Sequence, residues 1–383
     1  MRHPYSESAL RHDNGGVWSD LIDKNQTFPS SSFNPSRSIY HDPIGDSSQP
    51  KRVWASLITN LSYLPGLLTL YHSLYHPSPS SSPPATSTTD TPPDSGSRYP
   101  FVALYTDKFP AEGLQALAAR GIPAKKVPSV APRSTKDYAQ DPRFAETWTK
   151  VVAFSLTEYE RVVLLDGDIL VRRNMDELME LELDDRDTLE SGAGKKAFAA
   201  AHACACNPLR KAHYPAHWIP QNCAYTTQHS TPSIAQTSAP PPSSGVGMLN
   251  SGVLVITPSA HIYAEITTAL QDIPRISRYD FPDQELLSDV LKDRWVALPY
   301  VYNALKTLRP ESVHGAIWRD EEVKAVHYIF AVKPWHEGVT QQDEEQGIGK
   351  WKELDETNRW WWRANLERMR RERERGVVDA FSS

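Results

Sequence analysis

Asp166, Gly167 and Asp168 follow directly on the apolar run Val162–Leu165, in the stretch "RVVLLDGDILVRRNMDEL". A carboxylate beside a core is costly unless something pairs with it. Two carboxylates side by side repel each other unless a cation lies between them. In extended chain, residues i and i+2 point to the same side, so Asp166 and Asp168 can reach one ion together. Gly167 lets the backbone turn and approach a ligand closely. A hard divalent ion that also takes phosphate oxygens suits these donors. The competing reading is a strand-end turn with solvated aspartates, and only partners elsewhere in the chain can displace it.

His327 and Lys333, in "HYIFAVKPW", are the first such partners. With the aspartates, His327 makes a carboxylate–carboxylate–imidazole set of the mixed oxygen and nitrogen kind that manganese tolerates. Lys333 offers a point charge for a phosphate. Each also has a plain reading, as a core histidine and a solvated lysine.

The elements that must position these residues alternate between strand and helix. "RVWASLITN" reads as a first strand and "LPGLLTLYHSLYH" as a helix after a Pro-Gly turn. "YPFVALY", "AEGLQALAARG" and "PAKKVPSV" continue as strand, helix and strand. "TWTKVVAFSLTEYE" reads as a helix delivering the chain into the strand before Asp166, "MDELMELE" as a short helix and "KKAFAAAHACA" as a strand. "MLNSGVLVITPS", "AHIYAEITTALQDI" and the helix after Pro282 complete the alternation, with "VALPYVYNAL" and "VKAVHYIFAVKPW" closing the core. The pattern predicts an α/β single domain, a doubly wound, largely parallel Rossmann-like sheet with helices on both faces. Ligands on such sheets bind at the carboxyl ends of strands, where Asp166 and Asp168 stand.

Residues 1–50 are polar, rich in Ser and Pro, and predict a disordered or loosely docked tail. The catalytic domain is expected over 51–340, with low-complexity insertions at 77–97 and 228–247, and a C-terminal helical tail over 341–383. In that tail, Trp360–Trp362 could stack on a sugar or dock the helix onto the core.

Five blocks, in order, resemble glycosyltransferase family 8, the group of glycogenin and galactinol synthase. They are "LITNLSYLPG", "LLDGDILV", "LNSGVLV", "DFPDQ" and "HYIFAVKPW", spread over residues 52 to 336. The resemblance implies the family's GT-A nucleotide-sugar-binding fold and retaining transfer of a hexose, glucose or galactose, from a UDP-sugar, with Mn2+ or another divalent cation as cofactor. It implies Asp166, Asp168 and His327 as metal ligands, with Asp166 and Gly167 also at the donor. Leu57, Thr59, Asn60 and Tyr63 would surround uracil and ribose, Tyr63 by stacking. Lys150 would face the donor sugar, and Asn250, Ser251 and Gly252 would meet sugar hydroxyls. Asp283 and Gln284 would lie below the sugar ring with Asp280 nearby, and Lys333 would reach the diphosphate. Arg143 is a looser match, at a different spacing from Lys150.

The chain departs from the family in two places. Phe330 stands where a glycine often follows the metal histidine. The segment between Asn303 and His327 contains no tyrosine, so a glycogenin-like self-glucosylating starter is not supported and an external acceptor, an inositol or a saccharide, is expected. A UDP-sugar hydrolase and an inactive UDP-sugar-binding protein are the remaining alternatives. "HACACNPLRKAHYPAHWIPQNC" carries His202, Cys204, Cys206, His213, His217 and Cys223. These read either as a zinc site of weak spacing or as reduced thiols beside the sheet. The same segment, with Trp218, is expected to form the acceptor side of the site.

A net charge of −6 gives no reason to expect nucleic acid as a partner. No apolar run is long enough to span a membrane, and the N-terminus lacks the apolar stretch of a secretory signal. Three cysteines, an odd number, point to a reducing compartment and hence a cytoplasmic enzyme. A homodimer is left open.

Overall fold

The computed structural model describes residues 52–77, 95–133 and 147–382. The expected N-terminal tail, most of the first insertion and Arg143 lie outside the described residues.

Strand β1 (Arg52–Ile58) leads into helix α1 (Leu64–Tyr75), which carries Pro65 in its first turn, where a missing N–H costs nothing. Strand β2 (Phe101–Tyr105), helix α2 (Ala111–Ala119) and strand β3 (Ala124–Lys126) follow. Strand β4 (Arg161–Leu165) runs into the Asp166–Asp168 turn and a short β5 (Ile169–Val171). Then come α3 (Arg186–Glu190), β6 (Phe198–His202), β7 (Leu249–Ile256), α4 (Ala260–Ala269), α5 (Ile273–Ile276) and α6 (Pro282–Val290). The chain ends through β8 (Trp295–Leu298), β9 (Ala304–Leu305), β10 (Ala325–His327), α7 (Gln341–Gln346), α8 (Gly349–Glu353) and α9 (Glu356–Glu374).

Seven strands form one sheet in the order β3-β2-β1-β4-β7-β6-β8, and β5-β10-β9 form a second, three-stranded one. Alternate residues of the central strands divide between two cores. Val53, Ala55, Val162 and Leu164 pack with Trp148, Phe154, Ile262 and Leu286. Trp54, Ile58, Val163 and Leu165 pack with Leu64, Leu67 and Leu68 of α1. The period of two along each strand thus covers both faces, as a doubly wound sheet requires.

The sheet is less uniformly parallel than the alternation predicts. β7 runs antiparallel to both β4 and β6, while β1–β2, β2–β3, β1–β4 and β6–β8 are parallel. Adjacent antiparallel strands need no helical crossover between them, and the β6–β7 connection carries only short 3-10 turns. Residues 147–155 and 176–180 are 3-10 rather than α helices.

Both insertions are more tightly held at their described ends than low complexity predicts. Ser97 Oγ accepts from Trp54 Nε1 at 2.7 Å and donates to Asp176 at 2.5 Å. In the second insertion Ala235 is fully buried, Gln236 Nε2 donates to the Ile317 carbonyl at 2.7 Å, and His202 Nε2 meets the Pro240 carbonyl at 3.0 Å. Nor is the C-terminal helix a loose tail. Trp360, Trp361 and Trp362 are buried, and Asn365 Oδ1 accepts from Thr69 of α1 at 2.9 Å. Arg120 of α2 binds Glu372 at 2.8 Å. The tryptophans dock the helix instead of offering a sugar platform.

Candidate active site

Pairing between strands explains how residues far apart in sequence meet. β5 runs antiparallel to β10 with Ile169 opposite His327, so the imidazole lands beside Asp168. The Tyr328 N–H donates to the Asp168 carbonyl at 3.0 Å and the Asp166 N–H to the Gly252 carbonyl at 2.9 Å. The second bond continues the β4–β7 ladder and sets the Asn250–Gly252 block against the two aspartates.

His327 Nε2 lies 3.3 Å from Asp168 Oδ1 and 3.7 Å from Asp166 Oδ2. Ligand atoms of these three residues all fall within 4.8 Å of one another. The other ring nitrogen, Nδ1, is 2.9 Å from Asn303 Oδ1, the kind of bond that fixes which nitrogen faces a metal. Asn303 is itself held by donating to Asn250 Oδ1 at 2.8 Å. The imidazole occupies the space left by Gly252, where a Cβ would stand 2.3 Å from its Cε1. Two carboxylate oxygens and an oriented imidazole nitrogen fit a divalent ion that accepts mixed oxygen and nitrogen ligands.

Two lysines balance the aspartates. Lys150, on the 3-10 helix before β4, reaches Asp166 at 2.8 Å, Asp283 at 3.3 Å and Ser251 Oγ at 3.3 Å. Burial works against its charge, but Asp166 and Asp283 outweigh this and raise its pKa, so it stays protonated. Lys333, expected at the diphosphate, is not a solvated surface lysine. It is 2% exposed, donates to Asp168 Oδ2 at 2.5 Å and to the Tyr328 carbonyl at 2.6 Å, and is absent from the cavity lining. Burial alone would raise the Asp168 carboxyl; Lys333 and His327 outweigh it and hold it well below the usual carboxylate range. Burial pushes Asp166 up, with Lys150 opposing and Asp168 reinforcing.

These groups open into a cavity of about 550 Å³. Leu57, Thr59, Asn60 and Tyr63 line it together with Lys150, Asp166, Gly167, Asp168 and His327. Asn250, Ser251, Asp283 and Gln284 line it as well, joined to the aspartates through Lys150. Ser251 Oγ donates to Asp283 at 2.5 Å and Asn250 Nδ2 to Gln284 Oε1 at 2.8 Å. Tyr63 packs edge-on against Trp335 at 5.7 Å. Gly66 lets α1 start this close, since a Cβ there would meet the Gly167 carbonyl at 2.3 Å.

Besides Lys333, two expected residues lie off the wall. Gly252 acts through the room it leaves His327. Asp280 is exposed, in a turn whose N–H donates to Glu285; helix α6 begins two residues later and turns Asp283 inward instead. Phe330, standing where the family often has glycine, lies in the cavity, with Lys211 Nζ 5.1 Å from its ring centre. Sequence reasoning missed Asn303, for which an asparagine after "YVY" gives no cue, and Lys211 and Tyr214. The last two share their segment with Trp218, and all three line the cavity.

The family model for "Glycosyl transferase family 8" matches residues 55–338. Galactinol synthase 2 of Ajuga reptans is 26% identical over 268 residues, covering 68% of this chain and 82% of that protein. Galactinol synthase 3 of Arabidopsis thaliana is 26% identical over 264 residues, covering 67% and 71%. Among solved structures, the glycosyltransferase GlyE of Streptococcus pneumoniae TIGR4 aligns with a TM-score of 0.47 at 16% identity, covering 86% of this chain and 66% of that one. With a family match over more than half its length, the chain belongs to glycosyltransferase family 8 and is a hexosyltransferase that uses a UDP-sugar donor.

Proposed function

We propose that the enzyme transfers glucose or galactose from its UDP-sugar to a hydroxyl of an external small polyol or saccharide, with retention at the anomeric carbon and with manganese as its metal. The observation that carries this reading is one cavity joining three groups of residues. They are the Tyr63 end, the Asp166–Asp168–His327 cluster and an aromatic side formed by Tyr214 and Trp218. Trp218 stacks on Phe281 at 4.6 Å, with ring planes 7° apart, and with Tyr214 these rings give the cavity an aromatic lining suited to a sugar or an inositol. The name of the relatives above, galactinol synthase, supports the polyol end of that range. A reduced compartment such as the cytosol suits the three free cysteines, and among the described residues no helix is long and apolar enough to cross a membrane.

Asp166, Asp168 and His327 would hold the ion, which when bound supplies Lewis-acid stabilisation of the departing diphosphate. Lys333 keeps Asp168 ionised, and Asn303 keeps the imidazole turned toward the aspartates. Tyr63, backed by Trp335, offers its ring to the base. Asn250 and Ser251 orient the sugar, and Asp283 and Gln284 steady positive charge developing at the anomeric carbon. The acceptor oxygen bonds to that carbon on the face the UDP leaves, the carbon–oxygen bond to the diphosphate breaks, and the acceptor's proton passes to the leaving phosphate oxygen. The aromatic side holds the acceptor for this attack.

A screen for UDP release tests the reading. UDP-glucose and UDP-galactose are each offered with manganese and an acceptor panel of inositol, monosaccharides and maltooligosaccharides. One pair should stand well above background, and Asp168→Asn should abolish it with an unchanged circular dichroism spectrum, because a neutral amide is a weaker ligand for a hard cation. Undiminished turnover in a strong chelator would contradict the metal assignment.

A further inference from the structure

Cys204, Cys206, Cys223 and His314 bring four ligand atoms within 4.8 Å of one another, and Cys204 also lines the cavity. His202, His213 and His217, the histidines adjacent in sequence, are not among them. The fourth member arrives instead from a distant connection. His314 is fully buried, with Nε2 3.1 Å from Cys206 Sγ and 3.4 Å from Cys223 Sγ. Its Nδ1 lies 2.8 Å from Nε2 of His229, which leaves Nε2 as the nitrogen facing the sulfurs. In a tetrahedral zinc site, sulfur and nitrogen ligands are separated by roughly 3.6 Å and two sulfurs by roughly 3.8 Å, from the usual bond lengths. The four atoms are already gathered on that scale.

We propose that these residues form a structural zinc site of the three-cysteine, one-histidine type. The donor set is soft, closed and buried: the cysteines are 9%, 9% and 1% exposed. Such a set selects zinc over the hard cations suited to Asp166 and Asp168. The His314–His229 bond is the outer contact that zinc-binding histidines use to fix their tautomer.

The site ties together the exit of β6, the segment that begins at Cys223, and the loop around His314. Between Cys206 and Cys223 runs the stretch bearing Lys211, Tyr214 and Trp218. Arg210 and Asn207 in it adopt φ of 49° and 44°, a conformation uncommon for residues with side chains. Zinc would hold this stretch in place. Its effect on acceptor binding rests on the function proposed above; the presence of zinc does not.

The test measures metal in the full-length protein purified from zinc-replete cells and dialysed. About one zinc per chain is expected, kept by Asp168→Asn and lost from the double variant Cys206→Ser/Cys223→Ser. Replacing zinc by cobalt in the wild type should produce a thiolate-to-cobalt charge-transfer band, a readout that needs no variant to fold. In the double variant the acceptor KM should rise, by up to ~100-fold for a displaced binding wall. Wild-type protein with no zinc and no cobalt–thiolate band would overturn the proposal. So would zinc retained by the cysteine variant but lost from Asp168→Asn, or a disulfide between any two of the cysteines.

Discussion

His327 reaches the two aspartates only because residue 252 has no side chain. Gly252→Ala would set a Cβ 2.3 Å from the imidazole, and a buried ring between Asn303 and the aspartates has little room to yield. Transfer should fall at least ~100-fold, the scale on which a displaced reacting group costs rate, while the thermal midpoint drops only modestly. A variant with near-normal kcat/KM would show that the histidine is not needed where it stands. Asp166 and Asp168 were legible because two carboxylates beside a core demand a partner. His327 needed the pattern of five blocks as well, since a single histidine carries little information. Asn303 and His314 were not legible at all. Their importance lies in whom they face across the fold, Asn303 through the β9–β10 pairing and His314 through a long loop, and neither spacing nor residue type announces that.

At the scale of elements, α9 supports the cavity from behind. Trp361 is fully buried and packs at 5.6 Å against Trp335, which in turn meets Tyr63 at 5.7 Å. Trp361→Ala should destabilise the protein by about 3–5 kcal/mol, the usual cost of emptying a buried aromatic site, read as a lower urea midpoint at constant slope. Weaker UDP binding should accompany it; a stability loss without any change in UDP affinity would break the link from α9 to the base-binding end. The α1–α9 contact also carries a pH dependence. Burial first, then His76, Arg371 and Arg368, with Glu367 opposing, lower His72 to about 3, against about 6.5 in an unfolded chain. Below pH ~6.5 the unfolded state binds a proton that the folded state refuses. The stability present above that pH is therefore lost progressively as pH falls toward 3. Urea midpoints at pH 7 and 5 in wild type and His72→Gln should show a smaller acid loss in the variant; equal losses would acquit His72. Helical periodicity revealed α1, α2, α4, α6 and α9, whereas the 3-10 form of residues 147–155 was hidden, because apolar spacing at three and four residues suits both helices over a short run.

Over the whole molecule, strand–helix alternation was enough to expect a doubly wound sheet, but not the reversal of β7. That reversal depends on the path of the β6–β7 connection, whose Ser-, Thr- and Pro-rich composition hid the fact that it packs. The first insertion is likewise held at its described end. Ser97 N–H donates to the Leu74 carbonyl at 3.0 Å, and Asn174 Nδ2 donates to the Ser95 and Gly96 carbonyls at 3.2 Å each, so the chain returns close to where it left α1. Replacing residues 78–94 by a short Gly-Ser linker, with Ser95–Ser97 kept, should leave the thermal midpoint and turnover nearly unchanged, because loop length costs little closure entropy. Loss of soluble protein would show that the segment packs or binds something. The central claim, transfer to an external hydroxyl, is tested most directly by mass spectrometry of one complete reaction: enzyme, manganese, the active UDP-hexose and its acceptor. A single hexose added to the acceptor, with the protein mass unchanged, is the predicted result. A ladder of hexoses on the protein, or free hexose as the only product, would contradict it.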